Sequence, residues 1–206
     1  MNYYHDLITQ KSWQVLKSLS GKFKFILIGG WATYLYTKAL KSKDIDMVIG
    51  FSELEKIRTD FDVTKNDRLK KYEARREEVE IDIYVPYYSN PGIPAEEIGK
   101  WTQSIEAIVL PKSELLILLK QHAFKNRKGT PKGRKDFLDI ISLLTNADFN
   151  WDFYKKMIHE YSTIELLKEL EEELRITFEV PELDLNRHNF SRLKKSWLQE
   201  FSKLEA

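Results

Sequence analysis

The chain has 206 residues, 42% of them apolar and 32% charged, with a formal net charge of +1. This balance describes a soluble globular protein with a real core, excludes a disordered chain, and leaves any nucleic-acid binding to a local patch. Cysteine is absent, which excludes disulfides, thiolate catalysis and zinc–thiolate sites; no apolar run reaches spanning length, so a cytoplasmic location without membrane contact is expected.

Residues 1–20 are too charged for a signal peptide. They place Leu7, Trp13, Leu16 and Leu19 on or near one face, with Gly21 as a stop, which predicts an amphipathic helix packed on a sheet. Residues 25–28 are a continuous apolar run, the pattern of a strand buried on both faces. Gly29 and Gly30 end that run, and residues 31–40 carry apolar side chains at helical spacing. The glycines therefore sit at a strand-to-helix turn, where backbone N–H groups favour an anionic ligand.

A second apolar strand is predicted over 45–49, headed by Asp44 and Asp46. Two residues apart on a strand, both carboxylates point to one face, repel each other and are costly to keep without a cation. Mg²⁺ is the natural guest, since it takes few carboxylates and completes its shell with waters and phosphates; Mn²⁺ is the other candidate.

Ser52 and Glu55 have the spacing of a capping box opening a helix to about residue 59. Residues 61–64 and 69–73 read as a hairpin around 65–68. Residues 79–85 alternate: Val79, Ile81, Ile83 and Val85 face the core, while Glu80, Asp82 and Tyr84 face the other way. In a one-sided sheet that polar face is simply wet. Residues 86–101 hold Pro86, Pro91, Pro94, Gly92 and Gly99 and read as a loop. A last short strand is predicted over 104–110. At Pro111 the strands stop, which divides the chain into an α/β domain over 1–110 and a helical domain over 111–206.

The helical half opens on a helix over 114–127. From Lys120 to Lys135 there are seven basic residues (Lys120, Lys125, Arg127, Lys128, Lys132, Arg134 and Lys135) and no acids. Residues 127–134 include Gly129, Thr130, Pro131 and Gly133 and read as a flexible basic loop. Such a run is either a solvated face or an electrostatic counterpart to phosphates. Helices are predicted over 137–144, 151–161, 162–178 and 189–204, with Ser162 and Glu165 as a second capping box and residues 169–173 as a solvated acidic face. His5, His122, His159 and His188 show no ligand spacing.

Two sets of residues carry a resemblance. The sequence Gly29-Gly30-Trp31-Ala32 and, across a helix-length gap that puts thirteen residues between Gly30 and Asp44, Asp44-Ile45-Asp46 resemble the signature of the DNA polymerase beta-type nucleotidyltransferase superfamily. The resemblance implies a small mixed sheet with flanking helices (an α/β or α+β fold) and a third carboxylate on a neighbouring strand. Asp82 matches it best, with Glu80 as the competing choice. Residues 120–127, from Lys120 through Ala123 to Arg127, are similar to the K-L-x-A-x-x-x-R motif of AbiEii-type nucleotidyltransferases, toxin components of type IV toxin–antitoxin systems. Lys135, Asp136 and Asp139 are similar to their K-D-x-x-D motif. Gln121 stands where leucine is usual. Leu40 stands where many relatives have arginine, although Ser42 keeps the usual hydroxyl.

The resemblance, which covers roughly residues 25–145, implies Mg²⁺-dependent transfer of a nucleotidyl group from an NTP to a hydroxyl. Gly29, Gly30, Ser42, Lys120 and Arg127 would bind the nucleotide. Asp44, Asp46 and Asp82 would hold metal, with Asp82 also placed to take a proton and Lys120 to neutralise the triphosphate. Lys125, Lys128, Lys132, Arg134 and Asp136 would serve an acceptor, expected to be RNA such as tRNA, and a cognate antitoxin would be a further partner. Asp136 and Asp139 lie three apart on one helix face, where ordinary ion pairs are the other reading; the two readings stand level for Asp139, while for Asp136 the functional one leads. Transfer to a protein side chain, and an inactive binding or antitoxin module, are the other two readings.

Overall fold

The computed structural model describes residues 2–146 and 148–204. The chain divides into two compact units, Met1–Lys112 and Ser113–Ala206. The first is a mixed α+β unit. After helix α1 (Asn2–Ser20) come strand β1 (Ile26–Ile28), α2 (Gly29–Thr37), β2 (Ile45–Val48) and α3 (Phe51–Asp60). Strands β3 (Val63–Asn66), β4 (Lys71–Arg76) and β5 (Val79–Tyr84) follow, then the short helix α4 (Ala95–Ile98) and strands β6 (Thr102–Ile105) and β7 (Ile108–Pro111). The main sheet has the order β1-β2-β5-β4-β3, and β6 and β7 form a separate ribbon. β2 and β5 run parallel; β1 is antiparallel to β2, and β4 to β5.

The sheet buries the side chains that its periodicity assigns to the core. Ile45, Met47, Val79, Ile81, Ile83 and Val85 are buried, as are Leu16 and Leu19 of α1, Trp31 of α2, and Leu54 and Ile57 of α3. Each such aliphatic group contributes about 1.5–3 kcal/mol by leaving water. Trp31 also donates its ring N–H to Ser12 Oγ at 2.8 Å and stacks obliquely on Trp13, 5.0 Å between centroids. Leu7, expected on the same face of α1, is exposed.

Local chemistry moved several boundaries. α2 stops at Thr37 because Lys38 adopts a left-handed conformation (φ 54°) and closes the helix on Tyr34 O. α3 starts at Phe51 with Gly50 as its N-cap and no side-chain cap, so Ser52 and Glu55 form no capping box; Glu55 pairs with Arg58 instead. The β3–β4 hairpin turns over 67–70, where Asn66 Oδ1 accepts from Leu69 N–H at 2.9 Å, and β4 runs on to Arg76. The strand expected over 104–110 is a hairpin: Glu106 and Ala107 both have positive φ (50° and 62°), the backbone of a tight two-residue turn that usually announces itself with Asn or Gly.

The second unit is helical: α5 (Ser113–Arg127), α6 (Pro131–Leu144), α7 (Trp151–Glu160), α8 (Ile164–Ile176) and α9 (Arg187–Leu204), with a 3₁₀ turn over Pro181–Leu183. The basic loop is shorter than its composition implies. Thr130 caps α6 by accepting from Gly133 N–H at 3.0 Å, and Pro131 takes the first helical position, where its missing donor costs nothing. Gly133 is required there: a Cβ would overlap the Arg127 carbonyl. Lys132 and Arg134 therefore lie on α6. The second capping box also fails, since the N-cap of α8 is Thr163, without a side-chain cap.

Candidate active site

One register row crosses the main sheet. Ile28 faces Asp46, Asp46 faces Asp82, and Asp82 faces Glu73. In-register partners on neighbouring strands share a face, so β2, β5 and β4 present three carboxylates in succession. Asp44 lies two residues before Asp46, in the bend that leads into β2, and its charge acts on Asp82. Glu80 is two pairs further along β5 on the same face, opposite Arg75, and exposed. Among the described residues no three Asp, Glu or His side chains are gathered into a ready metal cage.

The row is closed at one end by the strand-to-helix turn. Gly29 follows Ile28 with φ +69°, and a Cβ there would overlap the Asp46 carboxylate. Glycine is needed twice over, for the left-handed backbone and for the space that Asp46 occupies. Gly30 and Trp31 continue as the buried first turn of α2, a helix of nine residues whose N-terminal N–H groups open beside that carboxylate. Ser42 is buried ahead of Asp44, while Lys41 and Lys43 are exposed and Leu40 half-buried.

At the other end stands a residue that the sequence did not single out. Lys71 Nζ lies 2.6 Å from Asp82 Oδ2 and 3.1 Å from Glu73 Oε1. Glu73 also accepts from Asn66 Nδ2 at 3.0 Å. Burial pushes the Asp82 carboxyl above its usual range; Lys71 opposes this, but Glu73 and Asp44 add to it. Burial pulls the Lys71 ammonium down, but its bonds and charge interactions with Asp82 and then Glu73 outweigh that and hold it above its ordinary value. Lys71 and Glu73 alternate onto one face of the strand expected over 69–73, but nothing in the sequence says that the strand carrying Asp82 lies beside it.

The second unit gathers its own polar residues. Lys120 is 6% exposed, Asp136 3% and Asp139 0%. Lys120 Nζ lies 2.6 Å from Asp139 Oδ2 and 3.3 Å from Asp136 Oδ1, and Arg127 Nη2 lies 2.6 Å from Asp136 Oδ2. Lys135 adds a longer contact to Asp139, 3.4 Å. The two motifs noted on α5 and α6 thus meet as one buried ion-pair network.

Gln121, where leucine was the usual residue, is 1% exposed. It accepts from Tyr154 Oη at 2.9 Å, and its amide reaches Leu166 O at 3.5 Å. The glutamine joins α5 to α7 and α8.

The basic run of α5 and α6 is not an undiluted patch in space. Lys125 pairs with Glu165 at 3.4 Å, and Lys128 lies 3.7 Å from both Glu169 and Glu173. Arg134 makes a two-pronged bond to Glu182, at 3.0 and 2.9 Å. The glutamates of α8, expected to be a solvated acidic face, include the counter-charges of this basic one.

No protein-family model and no curated protein matches the chain. Among solved structures, JHP933 from Helicobacter pylori superposes with a TM-score of 0.57 at 14% identity, over 96% of this chain and 93% of that one. A candidate nucleotidyltransferase from H. pylori superposes with a TM-score of 0.53 at 17% identity, over 97% of this chain and 96% of that one. At such identities the likeness is one of fold alone: this chain shares its mixed α+β arrangement with those two structures.

Proposed function

We propose that the chain transfers a nucleotidyl group from an NTP to a hydroxyl acceptor. The observation that carries this reading is the register row: Asp46 and Asp82 lie side by side on parallel strands, with Gly29 and the start of α2 fitted against Asp46. The donor set is all carboxylate and the glycine leaves the aspartate its room, which fits Mg²⁺ or Mn²⁺. Asp44 and Asp46 would hold the ion, with Asp82 beside them. When bound, it supplies charge stabilisation at the phosphates.

The protein's own groups do the rest. The N–H groups at the start of α2 bind a phosphate oxygen. The acceptor oxygen bonds to the α-phosphorus while the bond to the bridging oxygen breaks and pyrophosphate leaves. The hydroxyl proton passes to Asp82, whose carboxyl is pushed above its usual range by burial, the direction that suits a general base. Lys120 and Arg127 enter this reading as the positive members of the α5–α6 network.

For the acceptor, RNA such as tRNA is the first reading, supported by the basic residues of α5 and α6. The likeness of residues 120–139 to the AbiEii motifs extends it to a toxin paired with an antitoxin. The ion pairs of Lys125, Lys128 and Arg134 favour the second reading, a protein side chain, because they leave less charge for a polyanion. Incubation with each α-labelled NTP, Mg²⁺ and a cell extract separated into RNA and protein decides between them: label in RNA supports the first, label in protein the second, and label in neither sinks both.

A further inference from the structure

Lys71 places a cation inside the carboxylate row, against Asp82 and Glu73. Its side chain is only 12% exposed, and it bridges Asp82 and Glu73 at 2.6 and 3.1 Å. Its place is set by backbone as well as by charge. The hairpin turn is tied by Asn66 to Leu69 N–H, and Lys70 takes a left-handed conformation, φ 52°, directly before β4 begins. Asn66 then holds the far carboxylate, Glu73, from the opposite strand.

We propose that Lys71 is a built-in second cation: it takes the position at Asp82 that a second divalent ion would need, so the protein holds one such ion, at Asp44 and Asp46. The inference rests on the nucleotidyl-transfer reading and deepens it. An ammonium and a divalent ion compete for the same carboxylate oxygen, and like charges at that spacing repel strongly in a half-buried site. With Lys71 in place, Asp82 is neutralised without joining a second ion. The ammonium then supplies positive charge beside the attacking hydroxyl as Asp82 takes its proton, the role that a second metal plays in two-metal sites.

The test counts Mn²⁺ bound to the nucleotide-free protein by the loss of the free-ion EPR signal, with folding checked by circular dichroism. One ion per chain is expected for the wild type and for Lys71→Arg, which keeps the charge. Two are expected for Lys71→Met, and one again when Asp82→Asn is added. Two ions in the wild type overturn the proposal, as does a single ion in a folded Lys71→Met; the nucleotidyl-transfer reading survives both results. No bound ion in any variant overturns the proposal and the metal-dependent reading together. Should Lys71→Met not fold, the wild-type count decides alone.

Discussion

Gly29 and Asp46 are fitted to each other: the backbone of the glycine turns left-handed, φ +69°, where a Cβ would come within 2.6 Å of Asp46 Cγ. Gly29→Ala therefore meets two obstacles, backbone strain of about 1–2 kcal/mol and a carboxylate that must swing away. The expected result is a modest loss of thermal stability with a disproportionate loss of Mn²⁺ binding. A Gly29→Ala protein that binds Mn²⁺ like the parent would show that Asp46 is not a ligand.

Lys120 is the hub of the buried network with Asp136 and Asp139. Removing one partner of a buried ion pair leaves the others uncompensated, which costs about 3–5 kcal/mol. Lys120→Met is expected to lower the free energy of unfolding, from chemical denaturation, by that amount, independently of any effect on activity. An unfolding free energy within about 1 kcal/mol of wild type would mean that the aspartates are solvated and the network is slack.

Gln121 and Tyr154 form a closed buried pair, Tyr154 donating to Gln121 at 2.9 Å. Gln121→Leu strands the phenol and Tyr154→Phe strands the amide oxygen, each costing about 1–3 kcal/mol. The double variant loses both partners at once and should cost less than the sum. Additive costs from chemical denaturation would show that the two side chains do not depend on each other.

The legible part of the sequence was its periodicity. Strict alternation over 79–85 named the buried residues of β5 and the face that carries Asp82, and the apolar runs before Gly29 and after Asp44 gave β1 and β2. Turns without glycine or asparagine were not legible: the Glu77-Glu78 reversal between β4 and β5 and the Glu106-Ala107 turn both use left-handed non-glycine residues. Without the first, the strand expected over 69–73 stops short of Arg76, and its pairing with β5, which brings Lys71 to Asp82, goes unread. Long-range pairing was equally hidden. Nothing local to the basic run says that glutamates forty to fifty residues later will meet it, as Glu165 and Glu182 do.

That pairing bears on the acceptor. If RNA docks on α5 and α6, freeing the basic side chains should help it. Glu169→Gln, Glu173→Gln and Glu182→Gln together release Lys128 and Arg134. RNA affinity should rise, and the slope of log K against log salt should steepen by about 0.7 for each charge freed toward a single strand. Unchanged affinity and slope would remove this face from RNA binding and move the protein acceptor ahead.

Transfer of the α-phosphoryl nucleotide unit at the carboxylate row is decided by parallel reactions with α-labelled and γ-labelled NTP, run with the wild type and with Asp46→Asn. Label is expected on the acceptor from the α position only, with γ label recovered as pyrophosphate, and transfer is expected to fall by orders of magnitude in Asp46→Asn while its circular dichroism spectrum stays that of the wild type. Acceptor labelled from the γ position, or a folded Asp46→Asn that transfers as the wild type does, would contradict it.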